Sequence, residues 1–320
     1  MSNQNPPVVT VKSGKLEGTF ENGLYAFKGV PYAAPPVGDL RWMPPQPVKP
    51  WEGVRKADKF GAVASQVIPP RSVLPSIEEP EPQSEDCLFL NIWTPGLDNK
   101  KRPVMFWIHG GAFVFGSGSA VSYRTGALAR RGNIVEVTMN YRLGMLGFLR
   151  LKDVTGGKIP ATGNEGLLDQ VAALKWVRDN ISAFGGDPKN ITVFGESAGA
   201  MSTACLMAMP AAKGLFHKAI CESGVGNTAV SVGRANQIGS QFLKALGLNK
   251  DNAENLRTLT IEKMLGADMQ IKNAVAYPGE RDLSAFSDDG IYEQESSNDD
   301  QPQRNRPLEE YINVALINYE

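Results

Sequence analysis

A serine set between glycines at the end of an apolar run is the first feature of this chain that could do chemistry. Gly195-Glu196-Ser197-Ala198-Gly199 fits the pattern G-x-S-x-G, with the strand-like "ITVF" before it and the helix-like "SAGAMSTACLMAM" running on from it. In that setting the glycines let the backbone turn sharply and leave the Ser197 hydroxyl exposed above a sheet. The helix N-terminus beneath adds free N–H groups and a positive dipole end, which favour a developing oxyanion. A second glycine-rich loop, His109-Gly110-Gly111-Ala112, follows the apolar "VMFWI". Small residues there bring backbone N–H groups against a bound carbonyl, and each such donor is worth about 3–4 kcal/mol to a tetrahedral intermediate. Together the two loops point to acyl transfer through a serine nucleophile.

The base is harder to find. The chain holds 2 histidines. His109 lies before the serine and belongs to the glycine loop. His217, in "GLFHKAI", falls at the start of the strand after the serine, at the opposite end of the sheet. Both read as structural, so the catalytic acid and base stay unassigned. A serine hydroxyl without an imidazole is a poor nucleophile at neutral pH, and loss of such a partner lowers kcat by about 10⁴–10⁶. A formed oxyanion hole would still leave about 10³-fold catalysis over water.

The elements that must position these residues are visible as short apolar runs. "LFLNIW", "PVMFWI", "IVEVTM" and "ITVFG" read as strands, separated by stretches of helical period such as "NEGLLDQVAALKWVRDNISAF". In that helix Leu167, Val171, Leu174 and Ile181 share one face, with Asp169, Lys175 and Asp179 elsewhere. Such alternation predicts an α/β fold with a mostly parallel sheet covered by helices on both faces, and ligands at the carboxyl ends of the strands. Residues 8–30 alternate around turn signals and predict an antiparallel meander. In "VPYAAPPVGDLRWMPPQPVKPW" the prolines exclude helix and sheet interior, so a surface loop is expected there.

Composition narrows the function classes. A net charge of −1, from 33 basic and 34 acidic residues mixed along 320, offers no field for nucleic acid or an anionic membrane. There is no run of membrane-spanning length, and "MSNQNPPVVT" lacks the features of a signal peptide, so a cytoplasmic protein is expected. Cys87, Cys205 and Cys221 have no metal-ligand or redox spacing and read as buried free thiols. No metal or other cofactor is called for. From Ala285 to Tyr311 the chain is polar and poor in large apolar residues, which predicts a disordered tail.

The longer motifs resemble one family. "SEDCLFLNIW", "VMFWIHGGAF", "NYRLGMLGFL", "GNEGLLDQVAALKWVRDNISAFGGDPKNITVFGESAGA" and "GLFHKAICESG" are similar, in order and spacing, to type B carboxylesterases, which include bacterial para-nitrobenzyl esterases and the cholinesterases. The resemblance runs from about Val8 to residue 272 and implies an α/β-hydrolase fold. It implies hydrolysis of small or short-chain carboxylic esters, with Ser197 acylated and the N–H groups of Gly111, Ala112 and Ala198 as the oxyanion hole. Ala112 stands where many relatives carry a third glycine. Arg41 and Glu85 resemble a pair that ties the N-terminal loop to the body, and Glu222 matches a buried acidic or amide position near the site. Cys87 matches a half-cystine of secreted relatives, but its partner position near Ser65 is not cysteine.

Family members carry the acid and then the histidine downstream of the serine, in turns resembling GxxxDEG and GxHxxE. Neither motif is present, and the family pattern ends near Asn273. The expected organisation is therefore an N-terminal portion of the hydrolase domain over 1–272 and a divergent tail over 273–320, as a truncated or frame-shifted gene product would have. The C-terminal part of the fold would be missing, leaving an exposed sheet edge through which the chain could self-associate. The alternative to an esterase is a catalytically inactive fragment or a binding module.

Overall fold

The computed structural model of the chain describes residues 6–69, 82–226 and 229–272. The expected tail over 273–320 lies outside the described residues. In chain order the elements are strands β1 (Val8–Val11), β2 (Gly14–Glu17), β3 (Thr19–Glu21), β4 (Leu24–Pro31), β5 (Val54–Lys56), β6 (Val63–Ala64), β7 (Gln83–Ser84), β8 (Phe89–Thr94) and β9 (Arg102–Ile108), then helix α1 (Ala127–Gly132), β10 (Val135–Met139), and helices α2 (Gly144–Gly147) and α3 (Glu165–Asn180). They continue with β11 (Gly186–Glu196), α4 (Ala198–Ala208), β12 (Lys218–Glu222), α5 (Val232–Ala245) and α6 (Ile261–Lys272).

The main sheet has 7 strands in the order β12-β11-β9-β10-β8-β4-β3. Its half around the serine, β12-β11-β9-β10, is parallel, whereas β10-β8, β8-β4 and β4-β3 are antiparallel. The mostly parallel sheet expected from the apolar runs is thus a mixed one. Apolar runs report burial on both faces, not strand direction, so β8 read the same as its parallel neighbours. The N-terminal meander also divides: β1 pairs with β2, and β2 with β5, in a separate 3-stranded sheet, while β3 and β4 extend the main one.

Strand residues Val104, Phe106, Ile108, Val135, Val137, Ile191 and Val193 form the buried centre, packed against α3 through Leu167, Val171, Leu174 and Val177. The face chosen from periodicity is the buried one, but α3 is buried far beyond it. Asp169 is fully buried and pairs with Arg142 at 2.7 Å. Burial pushes the Asp169 carboxyl up, and the guanidinium hydrogen-bonded beside it acts in the opposite direction. Glu165, at the first turn of α3, accepts from the N–H groups of Thr162 and Gly163 at 2.8 and 3.0 Å.

The proline-rich stretch is irregular, as expected, but it is not simply surface. Trp42 is buried and donates its indole N–H to the Met145 carbonyl at 2.8 Å, and Tyr32 donates its hydroxyl to the Asn140 carbonyl at 2.6 Å. Arg41 makes the expected pair with Glu85, donating through Nε at 2.6 Å, and also donates to the carbonyls of Leu256 and Leu259 at 3.0 Å. The N-terminal loop is thereby tied to the segment before α6.

Cys87 is a buried free thiol, pushed well above the usual thiol range by burial, and Cys205 is half-buried. Cys221 is exposed, contrary to the sequence expectation. It lies on β12, the last strand of the main sheet among the described residues, where an apolar sequence does not ensure cover.

Candidate active site

Ser197 sits at the carboxyl end of β11, where the strand breaks directly into α4. Its backbone is held at φ 53° and ψ −120°, a region that costs a non-glycine residue of order 1–3 kcal/mol and persists only where the surroundings enforce it. Here the Ser197 N–H donates to the Glu222 carbonyl at 2.9 Å, and its carbonyl accepts the N–H of Met201 at 2.9 Å. The flanking glycines are demanded by space. A Cβ on Gly195 would stand 2.6 Å from the Gly199 carbonyl carbon and 2.7 Å from the Ile108 oxygen, and one on Gly199 would overlap that same oxygen. The G-x-S-x-G spacing therefore lets the turn into α4 close against the end of β9.

The end of β9 leads straight into the second loop. A Cβ on Gly110 would lie 3.2 Å from that of Ser197 and 2.8 Å from the Glu196 carbonyl, so this loop touches the serine turn. Gly111, Ala112 and Phe113 follow at φ 106°, 51° and 62°. The turn is closed by the N–H groups of Val114 and Phe115 donating to the Gly111 carbonyl at 2.9 and 3.1 Å. Among the described residues no acceptor takes the N–H of Gly111 or Ala112. Ala198 opens α4, so its N–H has no intrahelical partner either. Alanine in place of a third glycine adopts the left-handed conformation that glycine would take there at less cost.

His109 anchors this loop. It is fully buried, its ring stacks on Tyr141 with centroids 4.4 Å apart, and its Nδ1 donates to the Gly110 carbonyl at 2.7 Å. The Tyr141 hydroxyl donates to the His109 carbonyl at 2.8 Å. Burial pulls the imidazole down to about 4, so it is neutral at physiological pH. Gln66 clamps the far side of the loop, accepting the Gly116 N–H at 2.8 Å and donating to the Gly116 carbonyl at 3.0 Å. Sequence reasoning missed Tyr141 and Gln66. Tyr141 sits in "NYRLG" beside no chemical signal of its own, and Gln66 is 50 residues from its partner.

His217 lies just before β12, and its Nδ1 accepts the N–H of Ile191 at 3.2 Å. Ile191 to Ser197 is six residues of extended chain, about 20 Å at ~3.3 Å per residue. The structure thus brings Gly110 and Ser197 together and leaves His217 at the far end. Glu222 meets the site through its main-chain carbonyl, and its side chain is exposed on β12, the last strand of the main sheet among the described residues. Glu196 is also exposed, and its carboxylate lies beside Gly110. A groove of about 1040 Å³ runs between α3 and Pro44–Val48, but Ser197 does not line it. Among the described residues no group of three or more His, Cys, Asp or Glu is placed to hold a metal ion, and no helix is long and apolar enough to cross a membrane.

The sequence matches the model of the carboxylesterase family over residues 5–298. It is 49% identical over 268 residues to the para-nitrobenzyl esterase of Bacillus subtilis, which covers 83% of this chain and 53% of that protein. It is 48% identical over 221 residues to phenmedipham hydrolase of Pseudarthrobacter oxydans, covering 68% of this chain and 43% of that one. Among solved structures, a carboxylesterase of Geobacillus stearothermophilus superposes with a TM-score of 0.78 at 47% identity, over 84% of this chain and 54% of that one. The chain spans about half the length of the relatives it matches.

Proposed function

The chain belongs to the carboxylesterase family, and from that premise we propose that it acts on small or short-chain carboxylic esters through an acyl-enzyme on Ser197. The observation that carries this reading is the strained Ser197 backbone, held at φ 53° between two obligatory glycines and against Gly110. The hydroxyl attacks the ester carbonyl, the oxyanion is received by the N–H groups of Gly111, Ala112 and Ala198, the alcohol leaves, and water releases the acid. The unclaimed N–H groups of Gly111 and Ala112 support that assignment. We place the activity in the cytoplasm, which the free thiols of Cys87, Cys205 and Cys221 support. We further propose that the chain self-associates through its β12 edge.

A second reading is favoured by one observation: His217 is bonded to Ile191, six residues before Ser197 along β11, and His109 is locked into the glycine loop. With both histidines so engaged, the chain keeps the nucleophile's setting without a base to drive it, and serves as a non-catalytic member of the family. Hydrolysis of a short-chain p-nitrophenyl ester by the wild type and by Ser197→Ala separates the two. The esterase reading expects the wild type to exceed the variant by several orders of magnitude. Equal rates would leave only the family scaffold.

A further inference from the structure

The N–H groups of Gly111 and Ala112 are each half of a rigid unit. A trans peptide is planar, so its N–H points opposite to its carbonyl, and whatever fixes the carbonyl aims the N–H. The Gly111 N–H shares its peptide with the Gly110 carbonyl, which accepts from His109 Nδ1 at 2.7 Å. The Ala112 N–H shares its peptide with the Gly111 carbonyl, which accepts from Val114 and Phe115 at 2.9 and 3.1 Å. The far arm of the loop backs both peptides. A Cβ on Gly116 would stand 2.7 Å from the Gly110 oxygen and 2.6 Å from His109 Nδ1, and one on Gly111 would overlap the Phe115 carbonyl. The placement of Phe115 and Gly116 therefore governs where the Gly111 and Ala112 N–H groups point.

Gln66 holds that arm from outside the loop. Its Oε1 accepts the Gly116 N–H at 2.8 Å and its Nε2 donates to the Gly116 carbonyl at 3.0 Å. The Gly116 N–H shares its peptide with the Phe115 carbonyl, so the first of these bonds also fixes the oxygen that abuts Gly111. Gln66 is itself held. It is buried, its Nε2 donates also to the Ala64 carbonyl at 2.9 Å, and its own N–H donates to Gln83 Oε1 on β7 at 2.8 Å. A planar amide bonded through both its oxygen and its nitrogen cannot turn without breaking one bond or the other.

We propose that Gln66 is a positioning residue for ester hydrolysis: by holding both main-chain groups of Gly116 it aims the Gly111 and Ala112 N–H groups at the developing oxyanion. This deepens the reading of Ser197 as the acylated nucleophile, on which its catalytic part rests.

The test compares the full chain with Gln66→Met, which loses both bonds, and with Gln66→Glu. Hydrolysis of p-nitrophenyl butyrate is corrected for each by its Ser197→Ala counterpart, and circular dichroism confirms folding. Gln66→Met is expected to lower kcat about 10–100-fold with KM within about threefold, because the oxyanion forms only on the way to the transition state. Gln66→Glu restores the clamp in one protonation state. Its acid form keeps an acceptor for the Gly116 N–H and a donor for the Gly116 carbonyl, whereas its anion sets oxygen against oxygen. Its kcat relative to the wild type, taken in the same buffers so that titration of His109 cancels, is expected to approach one in acid and to fall about tenfold or more as the glutamate ionises. A merely structural side chain would give a ratio flat with pH, as Gln66→Met should. The Gly111 and Ala112 amide NMR signals of Gln66→Glu read the aiming without turnover and are expected to shift with the same ionisation. With hydrolysis present, a Gln66→Met kcat within about threefold of the wild type, or a flat Gln66→Glu ratio, overturns the proposal. A wild type no faster than Ser197→Ala overturns the ester-hydrolysis reading and the role of Gln66 in it. The amide signals then decide the aiming alone: it stands if they follow the titration and falls if they do not.

Discussion

The Nδ1 of His217 accepts the backbone N–H of Ile191 at 3.2 Å, which pins the chain's downstream histidine to the start of the apolar run that carries Ser197 at its other end. An imidazole there braces the β11–β12 crossover and takes no part in proton transfer at the serine. His217→Ala is therefore expected to lose about 1 kcal/mol of stability, the net worth of a typical hydrogen bond. Whatever Ser197-dependent ester hydrolysis the wild type shows should stay within about twofold, against the 10⁴–10⁶-fold loss that follows removal of a triad base. Initial rates for the two proteins, each corrected by its Ser197→Ala counterpart, decide between these outcomes.

Gly199 of the serine turn and Gly110 of the loop after β9 differ in what they meet. A Cβ on Gly199 runs into the Ile108 carbonyl, whereas one on Gly110 meets the Glu196 carbonyl at 2.8 Å and Ser197 Cβ at 3.2 Å. Gly199→Ala must push apart β9 and α4 and is expected to cost about 1–3 kcal/mol or more in a urea melt. Gly110→Ala acts on the serine itself and is expected to lower phosphonylation of Ser197 by a fluorophosphonate probe out of proportion to its effect on the melt. Equal losses by both measures in Gly110→Ala would show that the contact with Ser197 carries no chemistry.

How much of this could be read from the chain alone depends on the range of the signal. The serine turn and the glycine loop were legible because their cause is local: Gly195 and Gly199 are forced by the turn they sit in, and Gly110 and Gly111 by the turn after β9. The Arg41–Glu85 pair was legible only through family resemblance. Strand direction was not, since Leu90 and Ile92 on β8 are as buried as Phe106 and Ile108 on β9 although the two strands point oppositely in the sheet. Nor was the exposure of Cys221, which depends on what lies beyond β12. Asp169 was placed off the apolar face, yet it is buried because Arg142 arrives from a different segment to meet it.

That meeting has a measurable energy. Arg142 Nε and Nη2 donate to the two Asp169 oxygens at 2.8 and 2.7 Å within the interior, and Arg142 Nη1 donates to the Met43 carbonyl at 2.8 Å at its margin. Removing one charge strands the other, so Arg142→Met is expected to cost about 3–5 kcal/mol. Replacing both, as Arg142→Met with Asp169→Leu, should return much of that loss, because no unpaired charge remains. Urea denaturation of the single and double variants measures the difference. A double variant as unstable as the single would mean that the Met43 contact, and not the ion pair, is what Arg142 contributes.

His109 makes the fold sensitive to mild acid. Burial holds its imidazole near 4 in the native state, below the 6.5 of an exposed histidine. Between those values the unfolded chain binds a proton that the native chain refuses, so stability rises with pH there and is fully present above about 6.5. Acidification from 6.5 towards 4 is expected to remove about 1.4 kcal/mol per pH unit through this group, roughly 3 kcal/mol in all. Glu136, whose carboxyl is raised by burial, works in the opposite sense, since its protonation favours the native state as the pH falls. Comparing the wild type with His109→Gln isolates the histidine's share. The variant loses the stacking on Tyr141 at every pH, but its unfolding free energy should fall less steeply between 6.5 and 4.5 than that of the wild type. Parallel pH profiles would mean that the imidazole takes up its proton in the folded loop, and with it that the Nδ1 bond to Gly110 survives in the charged form.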